Sequence, residues 1–286
     1  MAFTLLIEPS ELKAQLGNPD WAIIDCRFQL SDTEAGRKAY QEGHIPGAYY
    51  AHLDEDLSGK VEKGKTGRHP LPETEAITSV FSGWGIGAQT QVVAYDDMGG
   101  AMAARVWSLL RWLGHEAVAV LNGGWPRWTA SGGASSTEVP PLKKGDFIPR
   151  LNPDVWVDAH GVKRVLSDPE YLIIDSRAPE RYRGEVEPID PVAGHIPGAA
   201  NVAHFSNVGP DGAFLPPKAL REKFSALLGG REPGHCIFYC GSGVTAAHNA
   251  MAMEWAGLPG AKIYAGSWSE WITDPDRGVE TGDPRS

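Results

Sequence analysis

The chain has 286 residues, of which 42% are hydrophobic and 22% charged, an ordinary globular composition with length for about two domains. A net charge of −10 argues against a broad nucleic-acid footprint, which needs a basic surface, but leaves room for a local basic pocket around a small anion. No run of about 18 apolar residues suggests a membrane span. The start, MAFTLLIEPS, lacks a basic n-region, and Cys26, Cys236 and Cys240 are a poor disulfide set, so a reducing cytoplasm is expected.

In chain order, Trp21–Ile24 is a short apolar run that reads as a buried strand, and residues 23–27 spell IIDCR. A GHIPGA turn follows at 43–48, and then a basic, proline-rich stretch from Arg68 to Pro72. Gln91–Tyr95 is a second buried strand, leading through a glycine loop into a helical pattern over Ala101–Leu113. Trp125 and Trp128 then stand in an NGGWPRW segment. Residues 131–153 are rich in Gly, Ser, Pro and Lys, and residues 136–152 read as a linker. Beyond it the same signs recur: a strand at Tyr171–Ile174, IIDSR at 173–177 and GHIPGA at 194–199. A strand at Cys236–Tyr239, a glycine loop, a helix over Ala246–Ala256 stopped by Gly257, and AGSWSEW at 265–271 complete the series. The matching elements keep their order at offsets of 150, 151 and 143 residues, as two copies of one domain would. The reading is domain 1–135, linker 136–152 and domain 153–286. Strands alternating with helices give each domain an α/β fold with a mainly parallel sheet, whose ligands gather at the carboxyl ends of the strands.

The sharpest chemistry lies in the loop from Cys240 to Ala246. A cysteine closes a buried strand, Gly241 and Gly243 let the backbone curl, and a helix starts where the loop ends. Inward-facing N–H groups and the helix N-terminus favour a thiolate, so Cys240 is expected to be a reactive cysteine of depressed pKa. A lone strand-end cysteine is more often a packing residue, and Cys26 and Cys236 are read that way. Cys236 and Cys240 would lie about 13 Å apart along an extended strand, too far for a disulfide. A zinc site from His235, Cys236, Cys240 and His248 fails because strand spacing separates these side chains. The repeated tryptophans, His44 and His195 occur in both copies and read as structural, although Trp268 could reach a pocket rim.

Taken together, the paired Asp-x-Arg and GHIPGA elements, the cysteine loop and the Gly-Trp elements resemble the tandem rhodanese family of thiosulfate and 3-mercaptopyruvate sulfurtransferases. The resemblance covers nearly the whole chain and implies two rhodanese-like domains, the second catalytic. Aligning Val93–Tyr95 with Ile237–Tyr239 puts Asp96 opposite Cys240, and a carboxylate cannot take up sulfur as a thiolate does. The Gly241-Ser242-Gly243 loop is similar to that of the mercaptopyruvate branch, where a Ser–His–Asp relay is proposed; Ser242, His69 and Asp54 match those positions. Arg181 matches the arginine that binds the donor's anionic end, with Gly241, Gly243, Val244 and Thr245 as the cradle. Arg27 and Arg177 read as structural, and Arg183 as a solvated neighbour. One departure stands out. The mercaptopyruvate branch has a further arginine after a Glu-Pro pair, where this chain has Asp190, as in a thiosulfate-type segment. Both donors stay open, with the loop tipping the reading toward mercaptopyruvate.

The implied reaction moves sulfane sulfur through a Cys240 persulfide to a thiol or thioredoxin-like acceptor, with no metal or organic cofactor. A phosphatase of similar fold would need Cys-x5-Arg, and the sixth residue after Cys240 is Ala246. A non-enzymatic persulfide carrier or sensing module is the other alternative; Cys240 with Arg181 argues against it.

Overall fold

A computed structural model describes residues 2–282. The chain divides into two compact units. The first comprises residues up to Gly59, Pro72–Asn152 and Val208–Phe214; the second comprises Lys60–Leu71, Pro153–Asn207 and the chain from Leu215 onward. The units are therefore not contiguous in sequence: residues 60–71 of the first repeat fold with the second unit, and a short piece of the second repeat folds with the first.

In the first unit, β1 (Leu6–Ile7), α1 (Pro9–Lys13), β2 (Trp21–Asp25), α2 (Ala35–Glu42), β3 (Ala48–Tyr50), α3 (Thr74–Gly83), β4 (Gln91–Tyr95), α4 (Ala103–Trp112), β5 (Val118–Leu121) and α5 (Gly124–Ala130) follow one another. The sheet order is β1-β5-β4-β2-β3, with every named pair parallel. In the second unit come β6 (Trp156–Val157), α6 (Ala159–Val165), β7 (Leu172–Asp175), α7 (Pro179–Tyr182), β8 (Ala200–Asn201), α8 (Pro217–Leu228), β9 (Cys236–Tyr239), α9 (Thr245–Trp255), β10 (Lys262–Tyr264) and α10 (Ser267–Trp271). Its order, β6-β10-β9-β7-β8, is the same topology, again all parallel. Helices on both faces of a parallel sheet explain why the central strands β4 and β9 are buried along their whole length and read as unbroken apolar runs.

The repeated motifs do the same structural work in each unit. Arg27 clasps Asp25 and donates to the Gly43 carbonyl at 2.7 Å; Arg177 clasps Asp175 and donates to that of Gly194 at 2.6 Å. Each pair ties the end of a strand to the start of the GHIPGA turn. His44 and His195 each reach a carbonyl, of Tyr40 and Tyr182, at 2.7 Å through Nδ1 and stack on that tyrosine at 3.9 Å. Trp128, Trp268 and Trp271 are fully buried. Trp268 lies under the Arg177 guanidinium at 4.8 Å and donates to the Val192 carbonyl, so it belongs to the core and does not reach a rim.

The stretch read as a linker is ordered against the first unit. Ser136 exchanges two backbone hydrogen bonds with His44, Gly145 donates to the Ser82 carbonyl, and Arg150 and Asn152 donate to those of Leu113 and Trp112. Its polar composition reflects exposure, while backbone pairing holds its path. Among the described residues, no helix is long and apolar enough to cross a membrane.

Candidate active site

Cys240 directly follows β9, and its loop returns into α9. That helix is buried nearly all round by small residues, Ala246, Ala247, Ala250 and Ala252, which let its N-terminus approach the sheet end closely. Gly243 makes the turn possible: its φ is +79°, and a Cβ there would lie 2.1 Å from the Ala265 carbonyl oxygen. Val244 sits at the helix N-cap position.

The Cys240 sulfur accepts the Gly243 N–H at 3.2 Å. Burial alone would raise the thiol's pKa; hydrogen bonds from the Thr245 hydroxyl and the Ser242, Ala246 and Gly243 N–H groups outweigh it and hold the thiol below its ordinary value. Cys236, one strand-length earlier, is pushed up to about 12 by burial, which outweighs the opposing charge of Arg231, and Cys26 is also pushed well up by burial. All three are unpaired and buried. The loop thus sets Cys240, held low, apart from Cys26 and Cys236, both pushed up.

The backbone of the cysteine loop is pinned from α10. Trp268 N–H donates to the Cys240 carbonyl at 3.0 Å and Ser269 N–H to that of Gly241 at 2.9 Å. Ser267, fully buried, has φ +53°, a left-handed conformation that costs a non-glycine residue about 1–3 kcal/mol. Its hydroxyl accepts the Cys240 N–H at 3.0 Å and donates to the Tyr264 carbonyl at 2.9 Å. In the first unit the matching residue is Gly124, φ +56°. Sequence reading missed Ser267; its signal was a serine where the other repeat has the second of two glycines.

The first unit contains the same nest with a different occupant. Asp96 Oδ1 accepts the N–H groups of Met98 and Gly100, both at 2.8 Å, and Oδ2 those of Met102 and Ala103 at 2.7 and 2.8 Å. The loop that surrounds sulfur in one unit surrounds a carboxylate in the other.

Around Cys240 the second unit gathers several of the residues anticipated from the sequence. His69 and Ser242 are both buried and share a hydrogen bond of 2.7 Å between Nδ1 and Oγ. Arg181 is held by Glu187, at 2.7 Å from Nη2, and by Asp190 at 3.3 Å. Burial would raise Glu187, but the Arg181 hydrogen bonds and the N–H groups of Asp190 and Ile189 keep it below its ordinary value. Asp54 is an exposed residue of the first unit, where its N–H donates to His52 Nδ1 at 3.2 Å. Arg183 pairs with the exposed Glu185.

Arg68 was not anticipated, although it adjoins His69. Its N–H donates to Ser269 Oγ at 3.0 Å, its guanidinium pairs with Asp190, and its Nη2 would stand 2.7 Å from a Cβ at Gly241. The Arg181 guanidinium nitrogens would stand 3.7 and 3.8 Å from the same point. Gly241 therefore gives two cations access to the residue next to the nucleophile. A buried cysteine whose thiol is held below its ordinary pKa, followed by a residue that two arginines approach, is the arrangement that attack on a small anionic donor requires.

Two parallel five-stranded units, each with an anion nest after its central strand, define a duplicated rhodanese architecture. The rhodanese-like domain model matches residues 8–131 and 158–274, and the chain belongs to that family and is a sulfurtransferase by class. It is 50% identical over 284 residues to the probable 3-mercaptopyruvate sulfurtransferase of Pseudomonas aeruginosa, covering 99% of this chain and 100% of the relative. It is 33% identical to the thiosulfate sulfurtransferase of Rattus norvegicus, covering 92% and 90%. The crystal structure of SseA from Escherichia coli, a 3-mercaptopyruvate sulfotransferase, superposes with a TM-score of 0.80 at 30% identity, covering 94% of this chain and all of that one.

Proposed function

We propose that this protein moves sulfane sulfur from 3-mercaptopyruvate or thiosulfate to a thiophilic acceptor through a persulfide on Cys240, in the cytoplasm, with the second domain catalytic and the first not. The observation that carries the reading is the nest around the Cys240 sulfur, which holds the thiol below its ordinary pKa despite complete burial. The thiolate attacks the donor's outer sulfur. With thiosulfate the S–S bond breaks and sulfite leaves with the electron pair. With mercaptopyruvate the C–S bond breaks, the electron pair stays on carbon, and the proton that was on sulfur must reach that carbon to give pyruvate. His69 and Ser242, 2.7 Å apart, suit that transfer, with Asp54 as the proposed third member of the relay. In both cases the outer sulfur stays on Cys240, where the N–H groups stabilise its charge. Arg181 and Arg68 hold the donor's anionic end; the planar guanidinium fork matches paired oxygens. An acceptor thiolate, that of a small thiol or a thioredoxin-like protein, then takes the outer sulfur and returns the Cys240 thiolate.

The test is thiocyanate formation from cyanide with each donor, on wild type and Cys240→Ser. Activity abolished in the variant is expected. Full activity in the variant, or none in wild type with either donor, would remove the reading. The Gly241-Ser242-Gly243 loop and the His69–Ser242 pair favour mercaptopyruvate as the better donor.

A further inference from the structure

The Asp190 side chain is only 4% exposed and bridges two guanidiniums: Oδ1 meets Arg68, and Oδ2 lies 3.3 Å from Arg181 Nη2. Those two guanidiniums also face Gly241, next to the nucleophile. Behind them, Arg177 is paired with Asp175 and Glu187, and Glu187 also holds Arg181. Three guanidiniums are thus matched by three carboxylates, and the cluster carries no net charge before the Cys240 thiolate adds its own. The missing side chain at Gly241 leaves Arg68 and Arg181 as the cations nearest the loop. Both are fixed in orientation by a carboxylate that cancels part of their charge.

We propose that Asp190 is the specificity-determining residue of this site: by bridging Arg68 and Arg181 it orients their remaining N–H groups toward a carboxylate while restricting the charge they can neutralise, so that a singly charged α-keto acid donor is accepted in preference to the thiosulfate dianion. This rests on Cys240 being the sulfur carrier, and it reverses the sequence reading of Asp190 as the mark of a thiosulfate-type segment. A dianion meets the repulsion of Asp190 twice over, a monoanion once. Removing one unit charge from within the site, at an effective dielectric of ~20, changes that difference by about ten-fold or more, after allowance for screening by solvent.

The test needs no turnover. Alkylation of Cys240 by iodoacetamide is followed by mass spectrometry of its peptide, with sulfate as an inert dianion and pyruvate as an inert monocarboxylate protecting the thiol. In Asp190→Asn, sulfate is expected to protect at about ten-fold lower concentration relative to pyruvate than in wild type. Asp190→Glu, which keeps the charge, is expected to retain the wild-type ratio. An unchanged ratio in Asp190→Asn, or equal loss of protection by both anions, would overturn the proposal, the second outcome because it marks Asp190 as a mere support for the arginines. Thiocyanate assays on the same preparations keep the two claims apart. Wild type that turns over neither donor defeats the sulfurtransferase reading, whereas turnover with an unaltered anion ratio defeats only the role of Asp190.

Discussion

The hydroxyl of Thr245 is the first of the groups that lower the Cys240 pKa against the opposing effect of burial. Thr245→Val removes that donor while keeping the shape of the side chain. A hydrogen bond to a charged group is worth about 1.5–3 kcal/mol, and 1.4 kcal/mol is a factor of about ten in an equilibrium. The backbone N–H groups remain, so the lower end applies: at a pH below the Cys240 ionisation the thiolate fraction should fall about ten-fold. The sign follows from the direction of the shift. A depressed folded-state pKa means the thiolate persists to lower pH, so weakening the nest moves the rising limb of activity to higher pH. The stability linked to this ionisation has the same sense. It is complete above the thiol's ordinary value and is lost as pH falls through the folded-state one. The assay is the pH dependence of Cys240 alkylation, with Thr245→Ser as the variant that restores the hydroxyl. A profile for Thr245→Val that overlays wild type, or moves to lower pH, would refute the nest as the origin of the reactivity.

Three further outcomes are expected. His69→Ala should lower kcat with mercaptopyruvate about 100-fold while changing thiosulfate turnover little, because only the first donor needs a proton delivered to carbon; parallel kinetics with both donors would show it. Gly243→Ala should abolish activity and lower the melting temperature, since a Cβ 2.1 Å from the Ala265 carbonyl at φ +79° forces the loop open; calorimetry and the thiocyanate assay read the two effects. Asp96→Ala should leave four backbone donors in the first unit without their acceptor, costing on the order of 3–5 kcal/mol and roughly 10 °C in melting temperature. Activity per folded molecule should survive, and a melting temperature within about 2 °C of wild type would show that the carboxylate is not needed to hold that loop.

Much of this arrangement was legible in the sequence because duplication supplied its own control. A motif present in both halves, such as Asp25–Arg27 with Asp175–Arg177, had to be explained without catalysis, and both pairs bind the carbonyl before their own GHIPGA histidine. The residue that differs, Asp96 against Cys240, pointed to the chemistry. The two helices read from the sequence began and ended within two residues of expectation, because buried strands, glycine loops and Gly257 bracket them. What stayed hidden depended on three-dimensional closure. Nothing local in residues 60–71 says that they fold with the second unit, so Arg68 was passed over although its neighbour His69 was noted. The order of residues 136–152 comes from backbone pairing, which polar composition does not encode. Ser267 was passed over within the AGSWSEW segment, and only its φ of +53° and the Cys240 N–H on its hydroxyl give it a part to play.

The two nests also show how little of the scaffold has to change for chemistry to appear. Each follows the central strand of a parallel sheet, turns through glycines and ends at a buried helix, and each holds an anionic group by backbone N–H donors. With Asp96 the anion is permanent and saturates its donors through two oxygens, leaving no position for a reacting atom. With Cys240 one sulfur takes the place of that carboxylate, so the matching donors face the atom that the proposed mechanism has gain and lose a second sulfur. In the proposed mechanism the charge they compensate moves outward by one S–S bond when the persulfide forms, and the guanidiniums of Arg68 and Arg181 stand beside Gly241, the next residue. On this proposal the nest accounts for the reactivity of the sulfur, and the arginine–carboxylate cluster for the choice of anion that approaches it. Substitutions in the loop should alter the pH dependence of both donors alike, whereas substitutions at Asp190 should alter the ratio between them.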